Sequence, residues 1–477
     1  MPALTKARMI PQDAEAVALP SETRPAATAR SQPVRTTGFR WQVVLAAAII
    51  ALWEGVPLML IGFRDDSYGP KIIAGLALLS IPVHMVRRAM GKARFNAFNV
   101  AALVLVLWCF AVSAYYSNVI EPKPANQWVQ SGYVVLPILL IFTFQAARAN
   151  VSDIERGIVL AGTLGSLIAI LDHSLSLELL KFFHRPGSDG QDRIVFFKLP
   201  ALFTFIIAIA RIYSARGPIT IATWAVVSVI TIYNVVVLTE SRLALGGILI
   251  ALGLIAVFVT YGNRRTFLVL TGLVAAVPVS AFVVNKYFAN FTSLDAYFRN
   301  DISAWFRGEE IKHFAYLFSK TDGLGFGFMS LNPDNNNILT FAAYKQGYII
   351  GTGENGPVLT DIGLYSALYQ FGYVGLALIL SYTLWTGSTL IRARRFGRAF
   401  APTAAVGCLF ISLLISPIAI NYFTVQWAAH VGALVFFMAS ECPGRFLSGN
   451  RGRRLRVGGA DGPSRVVPGR PVRSLRK

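Results

Sequence analysis

The sequence predicts an all-α membrane protein with about twelve transmembrane helices and one large, partly helical external loop between helices 9 and 10. Three observations carry that prediction. Hydrophobic residues make up 55% of the 477-residue chain and charged residues only 14%. Mean hydropathy is +0.55, a composition that soluble domains of this length do not show. Apolar runs of about 20 residues, enough to cross a hydrocarbon core as a helix, recur along most of the chain. That rhythm stops once, from about Asn285 to Thr360, where Asn, Asp, Glu, Tyr and Gly accumulate.

Apolar windows fall at 41–63, 72–86, 97–117, 129–147, 158–178, 199–215, 218–238, 243–261, 266–284, 372–391, 399–420 and 424–440. Residues 41–284 therefore read as helices 1 to 9, 285–360 as the loop and 361–440 as helices 10 to 12. Residues 1–40 and 441–477 read as disordered basic tails. The first forty residues are polar and rich in Pro, Ala and Arg, so no cleavable signal peptide is expected and the first span serves as the insertion signal. Basic residues then orient the chain. Arg87, Arg88, Lys92 and Arg94 share one side with Arg148, Arg156, Arg211, Arg216, Arg264, Arg265, Arg392, Arg394, Arg395 and Arg398. With the two tails, about 30 of the 44 basic residues fall on that side, which makes it cytoplasmic. The net charge of +20 would point to nucleic acid in a soluble chain. Here it is explained by connectors and tails lying against anionic headgroups, so a membrane is expected and nucleic acid is not. Cys109, Cys408 and Cys442 lie far apart and make neither a metal spacing nor a disulfide framework.

Three features on the outer side have the residue types for chemistry. Thr239-Glu240-Ser241-Arg242 lies between two apolar runs, with an Arg where the orientation rule disfavours one. It reads as an interfacial Arg, snorkelling or paired with Glu240, or as a ligand for an anion. The second feature starts at Arg307, passes Lys312 and His313, and ends in Gly323-Leu-Gly325-Phe-Gly327. Apolar residues at 305, 306, 311, 314, 315, 317 and 318 approach helical spacing, as in a helix lying on the bundle. The glycine triplet reads as a flexible turn or as backbone N–H groups that can approach an anion. The third feature runs from Thr360-Asp361 to Gly372-Tyr-Val-Gly375. Leu364, Leu368 and Phe371 predict a short helix that breaks at Gly372 and restarts. Asp361 reads as a helix-start carboxylate or as a proton acceptor.

In this order among twelve spans, the features are similar to those of the bacterial O-antigen ligases and the O-antigen or exopolysaccharide polymerases. That family shows Ser-Arg before a late span, an Arg about eighteen residues ahead of Gly-x-Gly, and a polar residue eleven positions before Gly-x-x-Gly. The matches are Ser241-Arg242, Arg307 with Gly325-Phe-Gly327, and Asp361 with Gly372-Tyr-Val-Gly375, within roughly 220–390.

The resemblance implies glycosyl transfer at the outer face of the inner membrane, with the loop periplasmic and both termini cytoplasmic. The donor would be an undecaprenyl-pyrophosphate-linked oligosaccharide and the acceptor a glycan, with no cofactor and no metal. A chain-length regulator and a flippase would be candidate partners. Arg242 and Arg307 would hold the pyrophosphate, with Glu240, Ser241, Lys312, Gly325, Gly327, Gly372 and Gly375 in the substrate-binding set. Asp361, or failing it Glu309 or Glu310, would act on the acceptor hydroxyl. Ligases usually carry His at that position, and His313 belongs to a different motif, so Asp361 fits the polymerase branch better. A ligase is the alternative. A transporter or flippase is the second, and it requires ionisable residues near the midplane, for which Glu54, Asp172 and His430 are the candidates.

Overall fold

The computed structural model describes residues 40–56, 68–93, 95–120, 132–177, 179–180, 183–186, 192–215, 217–239, 242–260, 311–328 (except 313), 364–415 and 429–442, with single positions between 122 and 129. The window 266–284, most of 285–360 and both tails lie outside the described residues. The compact unit Trp41–Lys477 contains every element that follows. Its helices are Trp41–Trp53 (α1), Tyr68–Ala89 (α2), Ala97–Tyr115 (α3), Leu140–Ala146 (α4), Val151–Leu175 (α5), Lys198–Ser214 (α6), Pro218–Tyr233 (α7), Arg242–Phe258 (α8), Leu364–Arg392 (α9), Ala401–Ser412 (α10) and Ala429–Ser440 (α11). Tyr68–Ala89, Ala97–Ile120, Val151–Leu175, Pro218–Leu238 and Leu364–Phe396 are long and apolar enough to cross a membrane. The chain is a helical membrane protein.

Local chemistry sets the helix starts. Asn96 accepts from the amides of Phe98 and Asn99 at 2.9 and 3.1 Å, and Asn99 accepts from the Asn96 amide at 2.9 Å. Asn150 and Asp153 make the same reciprocal box at the start of α5, both at 3.0 Å. Pro218 opens α7, where a missing N–H costs nothing. Two spans end in π turns, Tyr116–Ile120 after α3 and Asn234–Leu238 after α7.

The structure departs from the sequence reading in three places. Helix α5 starts at Val151, where the hydropathy window opens at 158. The window excluded Asp153, Glu155 and Arg156, but the Asn150 cap and a buried ion pair keep that turn helical. The window 129–147 is not one continuous helix. It opens with 3₁₀ turns at Gly132–Val134 and Leu136–Leu139, around Pro137, which supplies no N–H to a ladder. The expected all-α chain also contains a hairpin, in which His184–Pro186 (β1) pairs antiparallel with Asp192–Ile194 (β2). Strands of three residues are too short to show a period-two pattern.

Contacts between helix ends gather the basic connectors at one end of the bundle. Arg87 of α2 donates to the carbonyl of Ala146, which ends α4, and Gln42 of α1 donates to Ala147 at 3.2 Å. Asn99 near the start of α3 meets Gln145 at 2.8 Å. Arg394, just past α9, donates to the Phe258 carbonyl that ends α8. The strongest tie is Glu155 of α5, whose side chain is 4% exposed. It accepts from Arg211 of α6 at 2.8 Å and from Thr403 of α10 at 2.5 Å. Three helices are joined at that carboxylate.

Removing Glu155 strands a partly buried guanidinium and the Thr403 hydroxyl. Glu155→Ala should therefore lower the unfolding free energy of the detergent-solubilised protein by about 3 kcal/mol. Adding Arg211→Ala should cost less than the two single changes summed. A thermal-denaturation cycle over the four proteins measures this, and strict additivity would refute the pairing.

Candidate functional site

The end of the bundle opposite the basic connectors is built by two segments that dock onto helix ends. The first comprises the described residues between 179 and 197, among them the paired strands β1 and β2. Asp172, at the end of α5, accepts from the Leu179 amide at 2.7 Å. Glu54, just past α1, accepts from the Phe197 amide at 3.1 Å. Asn234 donates to the Phe196 carbonyl at 3.1 Å and to Ser166 at 3.2 Å. Thr239 donates to the Ile194 carbonyl at 3.1 Å. Asp172, Asn234 and Thr239 are buried, and they supply partners to the backbone before β1, at the end of β2 and between β2 and α6.

Glu54 and Asp172 thus sit at helix ends and bind backbone amides, which is a different place from the midplane expected of transport residues. The side chain of His430 lies outside the described residues. Thr239 is the first residue of the motif ending at Arg242, so its bond to Ile194 ties the start of that motif to strand β2. Arg242 opens α8, while its side chain, Glu240 and Ser241 lie outside the described residues.

The second segment, 311–328, docks onto the break in α9. At Gly372 the backbone turns to φ 72° and ψ −175°, as the Leu364, Leu368 and Phe371 spacing predicts. A break interrupts the i to i−4 ladder and leaves carbonyls before it and amides after it without helical partners. The segment replaces those partners one by one. Phe326 donates to the Tyr369 carbonyl at 3.0 Å and Gly327 to the Gln370 carbonyl at 2.7 Å, while the Tyr373 amide donates to the Gly323 carbonyl at 3.1 Å. Trp108 of α3 donates its indole N–H to the Phe371 carbonyl at 2.9 Å. The Phe328 amide donates to Ser113 of α3 at 2.8 Å.

Glycine is required where these backbones meet. A Cβ on Gly325 (φ 87°) would lie 2.4 Å from the Gln370 carbonyl oxygen, and one on Gly372 would lie 2.4 Å from that of Gly323. Gly375 packs beside Trp108, with 3.0 Å from an added Cβ to the indole nitrogen. The glycine triplet is therefore neither a flexible turn nor an open anion nest. Gly325 donates to Thr321 at 3.1 Å, so the amides of residues 325 to 328 all have partners inside the protein. The four glycines Gly325, Gly327, Gly372 and Gly375 form a clamp.

An apolar cluster seals the clamp. Phe314, Leu317 and Phe318 of the expected loop helix pack with Tyr116, Phe326 and Tyr369. Lys312 is exposed beside it, and Lys320 lies 4.4 Å from the Tyr316 ring centre. Tyr316, Tyr365 and Tyr373 present 60%, 48% and 64% of their surface. The clamp joins the chain that follows Arg307 to the chain that follows Asp361. Arg307 precedes Ile311 by four residues and Asp361 precedes Leu364 by three, and both lie outside the described residues, as do Glu309, Glu310 and His313. Trp108 and Ser113 are partners that the sequence reading missed. Their only signal is a Trp and a Ser five residues apart in an otherwise apolar span.

Comparison with protein-family models and with curated proteins finds no match to this chain.

Alanine has no room at the clamp and is strained at positive φ. Gly325→Ala and Gly372→Ala should each destabilise the protein by at least about 2 kcal/mol. Gly253→Ala on α8, where an added Cβ meets nothing within 4 Å, should be neutral or stabilising by up to about 1 kcal/mol. Melting temperatures and membrane yields of the three variants decide the matter, and equal behaviour would contradict the clamp.

Proposed function

We propose that this chain polymerises lipid-linked oligosaccharide repeat units into O-antigen or exopolysaccharide at the outer face of the bacterial inner membrane. Twelve spans, cytoplasmic termini and a periplasmic loop at 285–360 belong to the same proposal. The observation that carries it is the clamp. It ties the segment after Arg307 to the segment after Asp361, at the end of the bundle remote from the basic connectors. Two of the three sequence features resembling the ligase and polymerase family are thereby held on one scaffold. Transport is less well supported, because Glu54 and Asp172 bind backbone at helix ends.

In the proposed reaction an acceptor hydroxyl attacks the anomeric carbon of the donor glycan. The new glycosidic C–O bond forms as the C–O bond to the lipid pyrophosphate breaks, and the electron pair leaves with that phosphate. Arg242 and Arg307 offset the developing charge in a fixed arrangement, which needs no reorganisation during the reaction. A guanidinium suits this role because it stays charged and binds phosphate oxygens in a fork. Asp361 takes the acceptor proton. Pyrophosphate leaves as a stabilised anion, so no acid is needed on the leaving side.

Arg242→Ala and Arg307→Ala should abolish long-chain polysaccharide while the protein stays in the membrane at a near-normal level. Arg242→Lys should keep roughly less than half the activity, because a point charge replaces a planar fork. Gel profiles of the surface polysaccharide against immunoblots of the membrane fraction measure both, and full polymer with either alanine variant would exclude the assignment.

A polymerase and a ligase leave different remnants. Deletion of the protein should leave single repeat units, on their carrier or capping the core, with no long chains. Asp361→Asn, which keeps the shape and removes the basic oxygen, should reproduce that profile. Long polymer stranded on the lipid carrier in the deletion strain would identify a ligase instead.

A further inference from the structure

At the basic end of the bundle, a small, half-open cleft lies between the ends of α6 and α8 and the turn that joins α9 to α10. Tyr213, Ser214, Thr260, Arg394, Gly397 and Arg398 are among its lining residues, and none of the lining residues is acidic. The proposed transfer reaction makes no use of it.

The wall chemistry is selective. Ser214 donates to the Ala210 carbonyl at 3.0 Å and Thr260 to the Ala256 carbonyl at 2.5 Å, so both hydroxyls turn back into their own helices. The carbonyls that end α8 would repel an anion, but Arg394 covers those of Phe258 and Thr260. Arg398 stands exposed on the 3₁₀ turn Arg398–Phe400. Glu155, the carboxylate of the neighbouring helix α5, is held by Arg211 and Thr403. Two guanidiniums therefore line the cleft, Arg394 with two nitrogens on the carbonyls that end α8 and Arg398 exposed. Val257 and Phe258, immediately before the cleft on α8, are 44% and 43% exposed, which gives an apolar track leading away from it.

The geometry points to a binding site for the phosphate headgroup of an anionic phospholipid. Arg398 would take the phosphate oxygens, Arg394 would add its positive charge from the cleft wall, and an acyl chain would run along Val257 and Phe258. Basic pockets between membrane helices recognise acidic lipid headgroups in this way. The apolar track distinguishes a lipid from free phosphate.

Native mass spectrometry of the full-length protein in detergent tests this, with phosphatidylglycerol, phosphatidylcholine or inorganic phosphate added at equal concentration. The wild-type protein should retain phosphatidylglycerol over phosphatidylcholine. Arg398→Gln should lower its retention about fivefold, the usual effect of one basic residue beside an anionic headgroup. Arg395→Gln, exposed in the same connection between α9 and α10 but not among the residues lining the cleft, should leave retention unchanged. Equal retention by Arg398→Gln, equal binding of phosphatidylcholine, or complete displacement of the lipid by inorganic phosphate would each overturn the proposal.

Discussion

A helix that breaks at Gly372 has to find new partners for its backbone, and much of the structure at that end follows from how it finds them. Water is scarce within a bundle of membrane helices, so an unpaired carbonyl there costs several kcal/mol. The carbonyls of Tyr369, Gln370 and Phe371 lose their helical donors at the break. Two are paired by amides of the segment 323–328 and the third by the indole of Trp108. The exchange is reciprocal, because the Tyr373 amide, which a continuous helix would direct to Tyr369, donates to Gly323 instead. A segment docked this way is held in a single register. Sliding it by one residue would misalign every bond and drive a Cβ into a carbonyl at Gly325 or Gly372.

The same accounting explains the other docked segment, with side chains in place of backbone. The described residues between 179 and 197 meet the ends of α1, α5 and the π turn after α7, where Asp172, Glu54, Asn234 and Thr239 pair amides and carbonyls among them. Polar residues within apolar spans read in isolation as intramembrane charges. Here they terminate helices and hold a hairpin. At the opposite end the pattern is ionic, with Glu155 joining α5, α6 and α10 through Arg211 and Thr403. The ion pair is the feature that the hairpin end, held by hydrogen bonds to backbone groups, does not share among the described residues.

Span positions were legible because hydropathy is a local property of the chain. Ten windows besides 372–391 contain described helix, the exception being 266–284, which lies outside the described residues. What was not legible depended on distant partners. The first turns of α5 carry Asp153, Glu155 and Arg156, and they are helical because Asn150 and Arg211 satisfy them. The hairpin has strands too short to leave a pattern. The break at Gly372 was readable, since Leu364, Leu368 and Phe371 keep helical spacing up to a glycine. The glycine triplet was misleading because Gly-x-Gly-x-Gly states that the backbone approaches something closely without stating what. The amides of Phe326 and Gly327 meet Tyr369 and Gln370, and that of the next residue, Phe328, meets Ser113, each far away in sequence.

That correction changes what the glycines contribute to the proposed chemistry. Amides already paired within the protein cannot also hold a pyrophosphate, so donor binding falls to side chains, and the arginines carry more of it. Charge stabilisation by arginine is effective only when the cation is positioned in advance. Arg307 and Asp361 stand four and three residues before the described segments that the clamp joins, and Arg242 stands three residues after Thr239, which the hairpin holds through Ile194. Each proposed catalytic residue thus lies close in sequence to a segment that hydrogen bonds hold to the bundle. Such anchoring places few demands on side chains, namely glycine where backbones touch, an indole and a serine on α3, and aromatic rings to exclude water. On this reading the glycine spacing in the motifs records the geometry of the scaffold, and the charged residues a few positions upstream record the chemistry.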